Sequence, residues 1–211
     1  TRSENKRLKA YLCWLSGHGS LTRQEAVSMV PPLCLDLKPE HVVLDMCAAP
    51  GSKASQVVEM LHWDHSDASS TAISGETPKG VLIANELVPK RADLLTHTVL
   101  RLGSPCFAVT QLDATFFPNI IDARGSPLLF DRIIADVPCS GDGTLRKSQD
   151  LWQKWTPKDA IGLHHRQFTI LSRGLDVLKP GGRLVYSTCS FNPLEDEAVV
   201  LAALLKTYGA H

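Results

Sequence analysis

Two cysteines occupy similar positions just beyond two apolar segments. Cys139 stands three residues after the segment 131–136, "DRIIAD", and Cys189 directly follows the segment 183–188, "RLVYST". A thiolate is a strong nucleophile and a second thiol can pass a proton, so two thiols at one site would support covalent bond formation followed by proton transfer. Cysteine is also among the most often buried residues, so this chemistry requires both segments to end at a shared edge of a sheet.

Apolar strand-like segments alternate with helical periodicity along the chain. Continuous apolar strands separated by helices predict a doubly wound, mostly parallel α/β sheet that is covered on both faces. The predicted strands are residues 41–46, 80–85, 106–111, 131–136 and 183–188. The predicted helices are residues 52–61, 89–102, 157–178 and 194–208. The two cysteines therefore follow the fourth and fifth strands, which are neighbours in many sheets of this kind.

Acidic residues end or follow three successive predicted strands. Glu86 follows the second strand, Asp113 follows the third, and Asp136 ends the fourth. An acid in the position of Glu86 can accept hydrogen bonds from both ribose hydroxyls of a nucleoside cofactor, and Asp113 is placed to meet an adenine edge. Each acid alone is more typical of a helix cap or a solvated loop. Together they predict one crevice at the carboxyl ends of the strands.

The turn after the first strand, "LDMCAAPGSKAS", is built from small residues. Gly51 allows a tight turn from strand to helix, so that backbone N–H groups and the helix start face an anionic group. The segment is not a G-x-G-x-x-G motif, and tight packing alone would require the same small residues. Only in combination with the strand-end acids does it predict a cofactor loop.

Composition limits the possible classes of protein. The chain has 211 residues, and 22 basic residues balance 22 acidic ones, so no global field attracts it to nucleic acid or an acidic membrane. Six scattered cysteines without a C-x-x-C pair indicate neither a disulfide framework nor a zinc site, and favour a reducing, intracellular compartment. His62 and His65 lack an evident third ligand, so no metal is expected. No apolar run reaches transmembrane length.

Four segments, in order, resemble the motifs of a known family. They are "RQEAVSMVPPL", "DMCAAPGSK", "ADVPCSGDGT" and "YSTCS" followed by "NP" and "EDE". They resemble successive motifs of the NSUN (Sun-domain) family of RNA cytosine-5 methyltransferases, nearest its tRNA-methylating branch. The resemblance implies a class I, Rossmann-like methyltransferase fold, S-adenosylmethionine as cofactor, and cytosine in RNA, foremost tRNA, as substrate. It also implies a nuclear or nucleolar location.

The resemblance assigns roles to individual residues. Cys189 matches the nucleophile and Cys139 the second cysteine that helps to release product, while Asp136 and Lys53 are expected to assist them. Glu86 departs from the aspartate expected there and adds a methylene where the ribose is held. The implied cofactor contacts are Cys47, Ala48, Ala49, Pro50, Gly51, Ser52, Lys53, Glu86, Asp113 and Asp136.

The sequence also predicts how the chain is organised. Residues 1–40 are a lead-in segment expected to pack on a catalytic domain formed by residues 41–211. The segment 64–79 is rich in Ser, Thr and Gly and is expected to be a mobile surface insertion. The family also implies further sheet strands after Tyr208, so we expect a domain truncated at its C-terminal end.

Two other functions remain open on the sequence. In a cytosine-5 enzyme of the DNA type, Cys139 would be the nucleophile and Cys189 structural. Alternatively, the chain is a non-catalytic module that binds S-adenosylmethionine and RNA. A locally basic strip near Cys139 is the expected RNA contact, although it is also typical of a solvated face. Its residues are Arg146, Lys147, Lys154, Lys158, Arg166 and Arg173.

Overall fold

The computed structural model describes residues 2–63 and 77–209. Most of the predicted insertion at 64–79, together with His65, lies outside the described residues. In the described part of the chain, the strands are β1 (Val42–Asp45), β2 (Val81–Asn85), β3 (Phe107–Thr110), β4 (Ile120–Ile121), β5 (Pro127–Leu128), β6 (Phe130–Asp136) and β7 (Leu178–Ser187). The helices are α1 (Arg2–Gly17), α2 (Val30–Leu33), α3 (Ser52–Leu61), α4 (Pro89–Leu100), α5 (Leu151–Lys154), α6 (Pro157–Asp176) and α7 (Glu197–Tyr208).

The central sheet contains five parallel strands in the order β3, β2, β1, β6, β7. The order reverses at β1, so the crevice beyond the carboxyl ends of β1 and β6 is a topological switch point, where ligands bind in open α/β sheets. β4 and β5 form a separate antiparallel hairpin. The predicted doubly wound parallel fold is confirmed.

Helices cover the sheet on both faces. Val43 of β1 packs in one buried cluster with side chains of α3 and α4, whereas its neighbour Leu44 packs in another with Ile170 of α6. Successive side chains of a strand point to opposite faces, so these two clusters are the two sides of the sheet. β1 is therefore buried on both sides, which explains its unbroken apolar sequence.

The two cysteine segments are neighbouring strands, as predicted. β6 and β7 pair in parallel, and the register places Asp136 opposite Ser187 at their carboxyl ends. The Val137 amide donates to the Ser187 carbonyl at 3.1 Å and extends the pairing past the last strand residue. The turns that carry Cys139 and Cys189 therefore leave the sheet side by side.

The predicted start of the fifth strand is wrong. The helix predicted to reach Leu178 ends at Asp176, and β7 begins at Leu178 rather than at residue 183. Leu178 already pairs with Phe130, and an irregularity in the register then takes up the "KPGG" segment, where Gly181 has φ +76°. The two glycines mark a bulge inside the strand, not a connection between helix and strand.

The lead-in segment contributes to the core. Leu35 and Leu37 are buried in the same cluster as Val57 and Leu61 of α3. Arg132 of β6 donates from Nε to the Leu35 carbonyl at 2.6 Å. The segment before β1 thus packs on the sheet domain, while the division at residue 40 stays a prediction. Within the described ranges, no helix is long and apolar enough to cross a membrane.

Candidate active site

The thiols of Cys139 and Cys189 are in direct contact. The two Sγ atoms are 3.1 Å apart, and the Cys189 amide donates to Cys139 Sγ at 3.2 Å. Cys189 is exposed and Cys139 is half-buried. The arrangement places an accessible sulfur in front of a second sulfur that can exchange a proton with it.

The contact between the sulfurs shifts the pKa values of the two thiols in opposite directions. The hydrogen bond that Cys139 donates lowers the pKa of Cys189 to about 7, with further support from Lys53 and opposition from burial and from the Asp136 charge. The same hydrogen bond, together with burial, raises the pKa of Cys139. The Cys189 amide donates to Cys139 Sγ and so favours a thiolate on Cys139 instead. This single backbone N–H···S contact is weaker than the hydrogen bond between the two sulfurs. Cys189 is therefore the thiolate of the pair near neutral pH.

The lowered pKa of Cys189 predicts the pH dependence of its alkylation. In the wild-type chain the rate with iodoacetamide should rise with pH through a midpoint near 7, because only the thiolate reacts. In Cys139→Ala the midpoint should move up toward the ordinary value of about 8.5. Peptide mass spectrometry measures Cys189 separately from the other cysteines. Equal midpoints in the two proteins would contradict the proposed sharing of the proton.

Asp136 and Lys53 form an ion pair beside the thiols. Lys53 Nζ donates to Asp136 Oδ2 at 2.8 Å, and Ser187 Oγ donates to Oδ1 at 2.7 Å. The Lys53 side chain is 17% exposed and the Asp136 side chain is 32% exposed. The structure therefore brings together all four predicted catalytic residues, although their individual roles stay predictions.

The turn after Cys139 approaches the Cys189 backbone closely. The Gly143 amide donates to the Cys189 carbonyl at 2.9 Å. A β-carbon at position 143 would lie 2.7 Å from the same carbonyl oxygen, so only glycine fits without displacing the backbone. This contact fixes the position of the Cys189 backbone just after the end of β7.

A cavity of about 350 Å³ opens in front of the thiols. Glu86 and Asp113 line one part of it, and Asp136 and the two cysteines line the other. The apolar walls are Met46, Leu87, Val88, Leu112 and Ile170. The predicted crevice is thus present, and one cavity joins the strand-end acids to the reactive sulfurs.

Glu86 is held by contacts within the chain. It is buried, its Oε1 accepts from the Val88 amide at 2.9 Å, and its Oε2 lies 3.4 Å from Arg91 Nη2. Arg91 Nη2 also donates to the Ala49 carbonyl at 3.0 Å. The Glu86 side chain, which is longer than the expected aspartate, is therefore held in place and linked through Arg91 to the loop after β1.

Asp113 faces the cavity from a short helical turn. Its Oδ1 accepts from the amide and the hydroxyl of Thr115 at 2.9 and 2.7 Å, and these bonds hold its pKa below the ordinary value. Asn85, which is fully buried, fixes the ends of three strands by donating to the carbonyls of Met46 and Leu112 and accepting from the Leu112 amide. Asn85 had no predicted role.

The loop predicted at 47–53 turns tightly at Gly51, which has φ +108° and sits against Thr98 and Leu95 of α4. Lys53 lies on the first turn of α3 and points to Asp136. Burial raises the pKa of the Cys47 thiol. Cys47 is thus unsuited to act as a thiolate.

Asp45 is a buried acid that sequence reasoning missed. It ends β1, is 1% exposed, and accepts from the Cys47 amide at 3.3 Å through Oδ1. Its Oδ2 is buried without a hydrogen-bond partner. Burial and the Asp136 charge raise the pKa of Asp45 to about 7. A charged residue inside the apolar run "HVVLDM" was the available signal.

Asp45 should make stability depend on pH. Between about pH 4 and pH 7 the unfolded chain has lost the proton that folded Asp45 retains, so the free energy of unfolding falls with rising pH by up to about 1.4 kcal/mol per unit. Asp45→Asn keeps the acceptor for the Cys47 amide and removes the charge. Its melting temperature should therefore match wild type below about pH 4, exceed it increasingly between about pH 4 and pH 7, and stay higher by a steady amount above pH 7. A difference that is constant with pH would contradict this account.

A second cavity, of about 580 Å³, also borders Cys189. Lys53 and Asp136 line its floor, and Phe191, Arg146 and Lys147 line its rim. Phe191 is 82% exposed. The two cavities share Asp136 and Cys189, so a group bound in either one reaches the same sulfur.

The predicted basic strip does not form one surface. Arg146 and Lys147 both form ion pairs with Glu25 at the second cavity, and Arg166 lines the first. Arg173 donates to the Phe117 carbonyl and to Asn119, and so fixes a loop to α6.

Among the described residues, no group of three or more His, Cys, Asp or Glu side chains could hold a metal ion. His62 donates to or accepts from Ser104 Oγ at 2.9 Å. Trp152 is exposed, whereas Trp155 is half-buried.

Comparison with known proteins is consistent with this geometry. The model of the family described as 16S rRNA methyltransferase RsmB/F matches residues 32–210. The multisite-specific tRNA:(cytosine-C(5))-methyltransferase trm4b of Schizosaccharomyces pombe is 50% identical over 97% of this chain and 32% of its own length. A tRNA (cytosine(34)-C(5))-methyltransferase of Drosophila melanogaster is 46% identical over 97% of this chain and 27% of its own.

A solved structure shares the architecture. NSun6 from Pyrococcus horikoshii, crystallised with SFG, superimposes with a TM-score of 0.74 at 28% identity, covering 91% of this chain and 44% of that one. The chain spans about a third of the length of the curated relatives it matches. The family match runs from α2 to beyond α7 and includes both cysteine turns. The chain belongs to the RsmB/F family of methyltransferases, and the resemblance to Sun-domain proteins is confirmed.

Proposed function

We propose that the chain transfers a methyl group from S-adenosylmethionine to carbon 5 of cytosine in tRNA through a covalent adduct with Cys189. The observation that carries the proposal is the contact between Cys139 and Cys189 at 3.1 Å, at the point where two cavities meet. The relatives named for cytosine-5 methylation of tRNA, at 46% and 50% identity, support the same choice of substrate.

The residues present suit S-adenosylmethionine. A volume of about 350 Å³ is in the range of small-molecule sites, and its apolar walls flank two carboxylates. Glu86 and Asp113 supply acceptors for ribose hydroxyls and an adenine amine, and the cavity continues to the sulfurs. The neighbour NSun6 was solved with SFG, an analogue of this cofactor. When bound, S-adenosylmethionine supplies an electrophilic methyl group on a sulfonium.

Cys189 would activate the base. Addition of its thiolate to carbon 6 forms an S–C bond and moves the electron pair of the 5,6 double bond to carbon 5, which then forms the bond to the methyl group. The ring becomes more basic on addition, and nitrogen 3 takes the proton of Cys139. Asp136 accepts a hydrogen bond from nitrogen 3 in this state. Lys53 holds the Asp136 carboxylate in position at 2.8 Å.

Cys139 would then release the product. As a thiolate it takes the proton from carbon 5, directly or through water, and the electron pair of that bond restores the 5,6 double bond as the S–C6 bond breaks. Cys189 leaves as a thiolate, Cys139 is again a thiol, and nitrogen 3 gives its proton to solvent. One proton is thus released for each methyl group transferred.

The second cavity provides the place for the base. Its rim combines an exposed aromatic ring, Phe191, with the cations Arg146 and Lys147, which suits a nucleotide with its phosphate. A cytosine drawn out of its stack could enter there and meet Cys189.

Transfer of labelled methyl groups tests the proposal. The chain is incubated with methyl-tritiated S-adenosylmethionine and unmodified tRNA transcripts, and nucleosides from a nuclease digest are separated. Label in 5-methylcytidine, absent with Cys189→Ala, is the expected result. Cofactor binding without any label in RNA would favour the non-catalytic module instead, and label in another nucleoside would overturn the choice of base.

A further inference from the structure

Glu195 is a buried carboxylate that lies between the two cysteine turns. It is 0% exposed and precedes α7. Its Oε2 accepts from Ser140 Oγ at 2.5 Å and from Ser190 Oγ at 2.7 Å, and its Oε1 accepts from the Ser140 amide at 2.8 Å. Ser140 directly follows Cys139, and Ser190 directly follows Cys189. One carboxylate therefore bridges the residues next to both thiols.

The carboxylate is itself held from α6 and β7. Gln167 Nε2 donates to Glu195 Oε1 at 3.0 Å and to the Pro138 carbonyl at 2.9 Å. The Tyr186 hydroxyl donates to the Glu195 carbonyl at 2.5 Å. Gln167 is fully buried, so this contact cannot be replaced by bulk water. Glu195 is thus held from α6 and β7 as well as from the two turns that it joins.

Its hydrogen bonds keep Glu195 ionised. Burial alone raises the pKa of Glu195, but the donors on Ser140 and Ser190 outweigh burial and hold its pKa below the ordinary value. Hydrogen bonds to a charged acceptor are shorter and stronger than neutral ones. An ionised acceptor with four donors therefore resists separation of the two turns.

We propose that Glu195 is a positioning residue that sets the distance between the sulfurs of Cys139 and Cys189. It touches neither sulfur and acts through Ser140 and Ser190. The adjacent acid Asp196 differs, because it accepts from Thr188 Oγ1 at 2.7 Å and so contacts only the Cys189 turn. The consequence for turnover depends on the proposed function, whereas the effect on the thiols does not.

The experiment replaces Glu195 with glutamine and measures the thiols without RNA or cofactor. In the wild type, Ser140 and Ser190 donate to the Glu195 carboxylate. In Glu195→Gln an amide donor replaces one carboxylate oxygen and faces these donors, so the turns should separate and the hydrogen bond between the sulfurs should weaken. The midpoint of Cys189 alkylation, near pH 7 in wild type, should rise by about one pH unit. Glu197→Gln makes the same chemical change at an exposed position two residues later and should leave the midpoint unchanged.

An unchanged midpoint in folded Glu195→Gln, or an equal rise in Glu197→Gln, would overturn the proposal. If Glu195→Gln does not fold, Ser140→Ala and Ser190→Ala each remove one hydroxyl donor and keep the carboxylate. A raised midpoint in either of them supports the proposal, and no rise in both overturns it.

Turnover gives a second readout in the active enzyme. The kcat of Glu195→Gln should fall at least tenfold with an unchanged KM for tRNA, because displaced groups slow the chemical steps more than binding. A wild-type chain that transfers no methyl group would refute the proposed function alone, since the alkylation midpoints would still decide the role of Glu195.

Discussion

Cys139→Ala is expected to accumulate a covalent complex with RNA, and Cys189→Ala to form none. If Cys189 attacks carbon 6, its removal prevents the first bond. Without Cys139, nitrogen 3 takes its proton from solvent instead, so the adduct can still form and accept a methyl group, but the carbon-5 proton is not removed and the S–C6 bond persists. A denaturing gel with tRNA and S-adenosylmethionine should show a retarded band for Cys139→Ala, with turnover reduced to at most one methyl group per chain. The two variants thus differ in kind, not only in rate.

The same gel separates the alternative functions. An enzyme of the DNA type would lose the adduct in Cys139→Ala and keep it in Cys189→Ala. A non-catalytic module would give no retarded band with the wild type or with either variant. Cys106, which is buried, supplies the control, since Cys106→Ala should behave as wild type. A band in Cys189→Ala would refute the assignment of the nucleophile.

S-adenosylmethionine is expected to raise the melting temperature strongly. A ligand at 100 times its Kd stabilises the folded state by about 2.7 kcal/mol, or roughly 5–11 °C for a chain of this length. Asp113→Asn keeps the oxygen that accepts from Thr115 but presents an amide donor to the cavity. Loss of one hydrogen bond to a charged group costs about 1.5–3 kcal/mol, so the shift should fall to about half of the wild-type shift or less.

Asp122→Asn is a matched control for this experiment. Asp122 Oδ1 accepts from the amides of Arg124 and Ser126 in the β4–β5 hairpin, so the residue has the same local role as Asp113 but does not line the cavity. Its cofactor-induced shift should equal that of wild type. A full shift in Asp113→Asn would exclude Asp113 from the cofactor site.

Local patterns were sufficient to predict the elements that carry the site. The helix predicted at 52–61 occurs as Ser52–Leu61, and the predicted fourth strand ends at Asp136 as observed. Both are marked by a change from apolar to small or polar residues. The start of β7 was not predictable in this way, because Leu178 already pairs with Phe130 before "KPGG", a sequence that locally favours a turn, and the pairing resumes at Arg183.

The site was predictable where its residues end strands, and not where distant segments meet. The proximity of Cys139, Cys189 and Asp136 follows from strand order, whereas their expected roles come from the resemblance to the family motifs. Glu195 was placed inside the last helix, but the structure places it before Glu197 and buries it. Its hydrogen-bond donors lie up to 55 residues away in the sequence. Its role can therefore be recognised only from the folded structure.

The close approach at Gly143 has a consequence for genetic variation. Any amino acid that a missense change substitutes for glycine carries a β-carbon, which at position 143 would lie 2.7 Å from the Cys189 carbonyl oxygen. Even the smallest change, to alanine, would therefore displace the Cys189 backbone while altering no chemically reactive group. Variants of this codon are expected to rank with those of the cysteines themselves in severity, although the residue has no side chain to take part in the reaction.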